Sequence, residues 1–213
     1  MRIFLFVLEL IGTIAFAVSG AMVGLKKKMD IFGIIILGLT TAVGGGIIRD
    51  LILGNTPPYT FTDPVFALSA IATSVIVFIP LFRHFLMRNH KLYDRVVLIM
   101  DSLGLGIFSV NGVIIAYASE HGDNLFLLLF VGAITGVGGG VMRDIMAGNT
   151  PFIFVKHIYA CASLAGAAVC IALLKFGVDT AIAIISGMTT VFVIRILAAH
   201  FKLNLPRCNE EIE

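Results

Sequence analysis

The sequence predicts an all-α membrane protein: seven transmembrane helices built as two inverted three-helix repeats plus a seventh helix. Three observations predict it. The 213 residues are 59% hydrophobic and 13% charged, with mean hydropathy +1.04. A soluble domain carries about 25% charged residues, so this chain cannot cover a water-facing surface. Apolar runs of spanning length recur seven times. One unusual stretch also occurs twice. It reads Thr41-Ala42-Val43-Gly44-Gly45-Gly46-Ile47-Ile48-Arg49-Asp50 then Gly54-Asn55-Thr56-Pro57, and again Thr135-Gly136-Val137-Gly138-Gly139-Gly140-Val141-Met142-Arg143-Asp144 then Gly148-Asn149-Thr150-Pro151.

The seven runs cover about residues 3–25, 31–53, 64–82, 94–118, 125–147, 157–174 and 179–199, each near the ~20 residues that span a bilayer. Met1-Arg2 followed by Ile3 to Leu8 resembles a short signal sequence. The apolar run continues to Leu25 with Glu9 inside it, which makes it a first span instead. The expected division is 1–86 for the first repeat, 87–176 for the second, 177–200 for the seventh helix and 201–213 for a polar tail. Lys and Arg counts set the orientation. Ten of them (Lys26, Lys27, Lys28, Arg83, Arg88, Lys91, Arg95, Lys156, Lys202 and Arg207) fall on one side, against Arg2 and Lys175 on the other. This predicts an outside N-terminus and a cytoplasmic C-terminus. Lys26 to Lys28 serve as a topology signal and are placed to meet anionic lipid.

The repeat extends beyond the glycines. Gly12, Phe16 and Gly20 match Gly104, Phe108 and Gly112 at an offset of 92, which becomes 94 after the first loop. Spans 1–3 therefore match spans 4–6. Three spans per unit force the units to enter the membrane from opposite sides, related by a pseudo-two-fold axis in its plane.

Each Gly-Gly-Gly is expected to break its helix, in spans 2 and 5. Glycine inside a helix costs roughly 1 kcal/mol against alanine, and unwound backbone at that depth must line a cavity or be buried in protein. Freed carbonyls would face a cation, with Thr41 and Thr135 just before the breaks. The competing reading is that the glycines permit close helix packing.

Arg49, Asp50, Arg143 and Asp144 lie one turn beyond the breaks. A charge in the bilayer core costs at least ~2.5–3.5 kcal/mol. Neighbouring helix residues point about 100° apart, so each Arg is expected to pair with something other than the adjacent Asp, unless it snorkels to headgroups. Glu9 and Asp101 match at the offset of 92 and are the expected partners, or the acids of a cation path. Ser69 and Ser163 match at the offset of 94. Either hydroxyl bonds its own helix or serves as a gating latch, Asp144 with Ser69 and Asp50 with Ser163.

Cys161, Cys170 and Cys208 match no metal or redox spacing, and the five histidines fall at span ends or in loops. No nucleophile motif, phosphate loop or nucleic-acid patch is present, so neither an enzyme nor a nucleic-acid partner is expected.

Two three-span repeats plus a seventh span, with Gly-Gly-Gly-x-x-Arg-Asp and Gly-Asn-Thr-Pro in each, resemble the prokaryotic TRIC family of trimeric intracellular cation channels. The resemblance covers the chain to about residue 200. It implies a homotrimer with a pore through each protomer, between kinked spans 2 and 5. The permeant ions would be monovalent cations, potassium chiefly and sodium, with no cofactor. The lysine-containing pore motif of animal members has no match here. Related bacterial domains are also described as glycine transporters, so the alternative is a secondary transporter of a small zwitterion. Half-helix N-termini with nearby Arg would suit its carboxylate.

Overall fold

The computed structural model describes residues 1–87, 89–155 and 158–203. Among these, every regular element is a helix: α1 (Arg2–Lys26), α2 (Ile31–Ile52), α3 (Tyr59–Thr62), α4 (Val65–Phe78), α5 (Pro80–Met87), α6 (His90–Tyr117), α7 (Leu125–Met146), α8 (Phe152–Val155), α9 (Tyr159–Lys175) and α10 (Thr180–His200). Five of them, α1, α2, α6, α7 and α10, are long and apolar enough to cross a membrane. At 17 residues, α9 rises about 26 Å. Arg88, Lys156, Arg207 and the tail from residue 204 lie outside the described residues.

The third expected span is not one straight helix. α5 leaves α4 at 72°. The bend sits at Ile79-Pro80, where Ile79 takes φ −52° and ψ 134°, because a following proline disfavours helical backbone.

Local chemistry sets the helix ends. Asp30, Asn89, Asn124 and Asp179 accept hydrogen bonds from first-turn amides of α2, α6, α7 and α10, the usual role of an N-cap side chain. Gly54 and Gly148 stop α2 and α7 with φ of +75° and +64°. The amide of Asn55 then donates to the Asp50 carbonyl, and that of Asn149 to the Asp144 carbonyl, both at 2.8 Å. This is the Schellman closure, which needs a left-handed residue and so favours glycine.

The predicted breaks are corrected here: α2 and α7 stay helical through both glycine triplets. An unbroken helix keeps its amides and carbonyls paired, which the membrane interior demands. What the glycines provide is proximity. A Cβ on Gly45 would run into the Thr135 carbonyl oxygen, and one on Gly139 into the Thr41 carbonyl oxygen. Beside them, a Gly44 Cβ would stand 2.6 Å from Met142 Sδ, and a Gly138 Cβ 3.2 Å from Ile48 Cδ1. Each contact is the other's image under the offset of 94. Backbone thus meets backbone where α2 crosses α7.

The same exchange governs α1 against α6. Phe16 and Phe108 stack with ring centroids 5.3 Å apart. Phe16 covers Gly104, and Phe108 covers Gly12. α4 packs on α1 and α2; α9 packs on α6 and α7; α10 packs mainly on the second side, against α9 and α6. At that junction Gly166 and Gly187 let α9 and α10 approach to backbone distance.

Candidate functional site: two buried charge clusters

The helix ends beyond the α2–α7 crossing carry the charge. At one end, Arg49 Nε donates to Asp50 Oδ1 at 2.8 Å, and Arg49 Nη1 donates to Asn111 Oδ1 at 3.3 Å. Asp50 Oδ2 accepts from the Tyr59 amide at 2.9 Å. Glu9 lies beside Arg49 and Asn111. Glu9, Arg49 and Asp50 line a cavity of about 570 Å³ together with Arg2, Asn55 and Tyr59. The Tyr59 hydroxyl donates to Asp63 at 3.0 Å, and this bond holds the phenol's pKa above its ordinary value.

The other end repeats the plan. Arg143 Nε donates to Asp144 Oδ1 at 2.9 Å, and Asp144 Oδ2 accepts from the Phe152 amide at 2.9 Å. Arg143 Nη1 donates to Ser19 Oγ at 2.6 Å and to Asp101 Oδ1. Ser19 and Asn111, like Glu9 and Asp101, are equivalent at the offset of 92. A further side chain joins here from α10: Arg195, with Nη2 4.0 Å from Asp101 Oδ2. Its guanidinium lies 4.7 Å from the centre of the Tyr159 ring, and that of Arg143 lies 4.7 Å from the centre of the Phe152 ring. A second cavity, of about 750 Å³, ends on this cluster and is lined by Lys26, Lys27, Tyr93, Asp94, Phe152 and Arg195.

Each guanidinium therefore faces at least one carboxylate, and each aspartate uses both oxygens or meets two cations. Burying one charge without a partner costs several kcal/mol, so the clusters persist as units. The expected pairing of Arg143 with Asp101 is present. The expectation that each Arg avoids its neighbouring Asp is corrected, since both Arg–Asp neighbours are hydrogen-bonded. An arginine stem is long enough to bring Nε back over the next residue despite the 100° step.

The serine latches are also corrected. The Ser69 hydroxyl donates to the Phe66 carbonyl at 2.8 Å in its own helix. Ser163 shares a 2.6 Å hydrogen bond with Ser109. The carboxylates of Asp144 and Asp50 are taken by arginine and by a loop amide, so neither proposed serine–aspartate bond forms. Thr41 and Thr135 donate to carbonyls four residues back, Leu37 at 2.5 Å and Val131 at 2.6 Å. Their hydroxyls serve their own helices, while their carbonyls form the glycine crossing.

Sequence reasoning missed Asn111, Ser19, Tyr159 and the loop amides of α3 and α8. Asn111 and Ser19 were legible as an equivalent polar pair at the offset of 92. The one-turn helices carried no signal beyond following the Gly-Asn-Thr-Pro turns.

Comparison with known proteins matches this geometry to a family. A family model described as Glycine transporter matches residues 6–81 and 98–175, one block in each repeat. The inner membrane protein YadS of Escherichia coli K12 is 36% identical over 201 residues, 93% of each chain. A solved TRIC cation channel is 37% identical with TM-score 0.85, covering 97% of this chain and 98% of that one. The trimeric intracellular cation channel orthologue from Rhodobacter sphaeroides is 35% identical with TM-score 0.85, over 93% and 98%. The chain is an integral membrane protein. With both repeats matched and the fold shared over nearly its full length, it belongs to the glycine-transporter family and to the structural group of the prokaryotic TRIC channels.

Proposed function

We propose that the protein is a monovalent cation channel, with potassium as the chief ion and sodium as a second permeant ion. The observation that carries the reading is the pair of opposed cavities, each ending on a buried cluster that holds acids. Likeness to solved TRIC cation channels over nearly the whole chain supports it. In this reading a pore runs through each protomer of a homotrimer, between α2 and α7. The backbone contact at the glycines, which leaves no room for an ion between those helices, corresponds in this reading to a closed pore. Opening separates the crossing and frees Glu9, Asp50, Asp101 and Asp144 from their arginines, so that carboxylates face the ion. Ion passage of this kind needs no cofactor. The positive-side asymmetry supports a cytoplasmic C-terminus, and a C-terminal reporter active only outside the cytoplasm would reverse that orientation.

The description of the matched family model favours a second reading, a carrier of a small zwitterion such as glycine. The cavity at Glu9 and Arg49 offers an acid for an ammonium and a guanidinium for a carboxylate. Purified protein in planar bilayers and liposomes separates the two. A channel gives unitary potassium currents; a carrier gives saturable glycine uptake with none. Uptake without currents overturns the channel.

A further inference from the structure

We propose that the cavity at Glu9 is a binding site for a methylated ammonium group, the trimethylammonium of a choline-like solute or headgroup. The site stands whether the cavity leads into a channel or serves a carrier. Three aromatic rings border it, one each from α1, α3 and α4: Phe6, Tyr59 and Phe66. Phe66 is 5% exposed, while Phe6 and Tyr59 are 41% and 47% exposed. The centre of the Phe66 ring lies 5.5 Å from that of Phe6 and 6.2 Å from that of Tyr59, with interplanar angles of 50° and 51°. Rings tilted this far do not cover one another face to face. The face of an aromatic ring is negative and attracts a cation. Among the described residues, no lysine or arginine sits over any of the three.

The internal repeat shows that these rings are not a requirement of the fold. Phe6 matches Leu98 at the offset of 92, and Phe66 matches Ala160 at the offset of 94. Tyr59 has its counterpart in Phe152, since each gives its amide to the aspartate of its own cluster. The Phe152 ring already carries the Arg143 guanidinium at 4.7 Å, and Tyr93 at the same cavity carries the Lys26 ammonium at 4.8 Å. One end thus meets these rings with the chain's own cations. The other end gathers three rings and brings no cation to them.

The neighbouring charges suit a cationic guest. Glu9 lines the cavity, and among the described residues no ion pair within 4 Å engages its carboxylate. Arg49 beside it is held by Asp50 at 2.8 Å. Arg2 also borders the cavity but is exposed, so salt screens its charge. The volume of about 570 Å³ is that of a small-molecule site. A simple ammonium set against rings would leave N–H donors unpaired, which costs free energy. A methylated ammonium has no N–H to satisfy, and its methyl groups bury apolar surface on the rings.

Titration calorimetry of the purified protein in a maltoside detergent, with tetramethylammonium chloride and choline chloride at constant total salt, tests the site. Saturable binding of both is expected, with ammonium and potassium chloride weaker by roughly tenfold or more, the size of a desolvated cation–ring contact. Phe6→Leu, which copies the residue of the other end, and Tyr59→Leu should each weaken binding by roughly three- to thirtyfold. Tyr59→Phe keeps the ring and should bind like the wild type, although it loses the hydroxyl's bond to Asp63. Both Tyr59 variants keep the backbone amide that serves Asp50, so a loss confined to Tyr59→Leu reads the ring and not the fold. Lipid discs separate the two sources of the group. Weaker choline binding in phosphatidylcholine than in phosphatidylethanolamine identifies a lipid headgroup in the site; equal binding assigns the site to a free solute. Absence of saturable binding, ammonium binding equal to that of tetramethylammonium, or full affinity in both leucine variants overturns the proposal.

Discussion

The two charge clusters are built from the same parts and differ in how they are closed. Glu9, Asn111, Arg49, Asp50 and the Tyr59 amide form one; Asp101, Ser19, Arg143, Asp144 and the Phe152 amide form the other. In the first, Glu9 is only partly buried and shares a cavity with Arg49. In the second, Asp101, Arg143 and Asp144 are 0% exposed, and Arg195 covers Asp101 from a third direction. The difference teaches that sequence symmetry specifies the contacts within the repeats, while the unrepeated helix decides which end is sealed.

The largest effect that separates the clusters should come from removing a guanidinium. Arg143→Met leaves Asp101 and Asp144 short of their main partner at a site where all three residues are 0% exposed. Breaking a buried pair from one side costs about 3–5 kcal/mol. Arg49→Met should cost less, because Glu9 and Asp50 border a cavity that admits water. Thermal unfolding in detergent, followed by size-exclusion loss, reads the difference; equal losses would show that the clusters are energetically alike. Next comes the crossing, where the halves should behave identically. Gly45→Ala and Gly139→Ala each drive a methyl into a carbonyl of the facing helix, and overpacking of this kind costs about 1–3 kcal/mol. A clear inequality between them would break the mirror relation of α2 and α7.

Ser163→Ala removes a buried bond to Ser109 and should cost about 0.5–1.5 kcal/mol. Ser69→Ala should change stability little, because its hydroxyl only bonds its own helix. A larger effect of Ser69→Ala on opening would restore the latch that the hydrogen bonds here argue against. The smallest effect is expected at the third glycines. A Cβ on Gly46 meets nothing nearer than Arg49 Nη2 at 3.7 Å, whereas one on Gly140 would stand 2.9 Å from the buried Tyr159 hydroxyl. Gly46→Ala should therefore be neutral or stabilise by up to about 1 kcal/mol, the helix-propensity gain, and Gly140→Ala should destabilise. Matching melting curves would make the two ends equivalent at that position as well.

Much of this is legible in the sequence. The offsets of 92 and 94 pair Gly20 with Gly112 and Phe16 with Phe108, and the same arithmetic identifies Glu9 and Asp101 as matched acids, one of them bonded to its expected arginine. The glycine triplets misled because a sequence shows the local helix penalty without the neighbour that offsets it. Only the facing Thr41 and Thr135 carbonyls explain why no side chain is allowed at Gly45 and Gly139. The aspartates misled for a similar reason. Half of each carboxylate is taken by an amide eight or nine residues on, in α3 or α8, and neither one-turn helix leaves a periodic trace. Arg195, near the end of its span, reads from sequence as a headgroup-seeking cation; its burial depends on how α10 meets α6 and α9.

The hydrogen bonds between neighbours, Arg49 to Asp50 and Arg143 to Asp144, bear on how this chain enters a bilayer during synthesis. A lone charge at the middle of a helix raises the insertion free energy by about 2.5–3.5 kcal/mol. Here α2 and α7 each carry a cation and its counter-ion in consecutive positions, joined without help from any other segment. Each helix can therefore cross the translocon's lateral gate as a neutral unit, before it packs against the helix that carries Glu9 or Asp101. Separating the two charges along the helix would keep the composition of the span and lose this provision, so the adjacency of Arg and Asp serves assembly as well as the finished site.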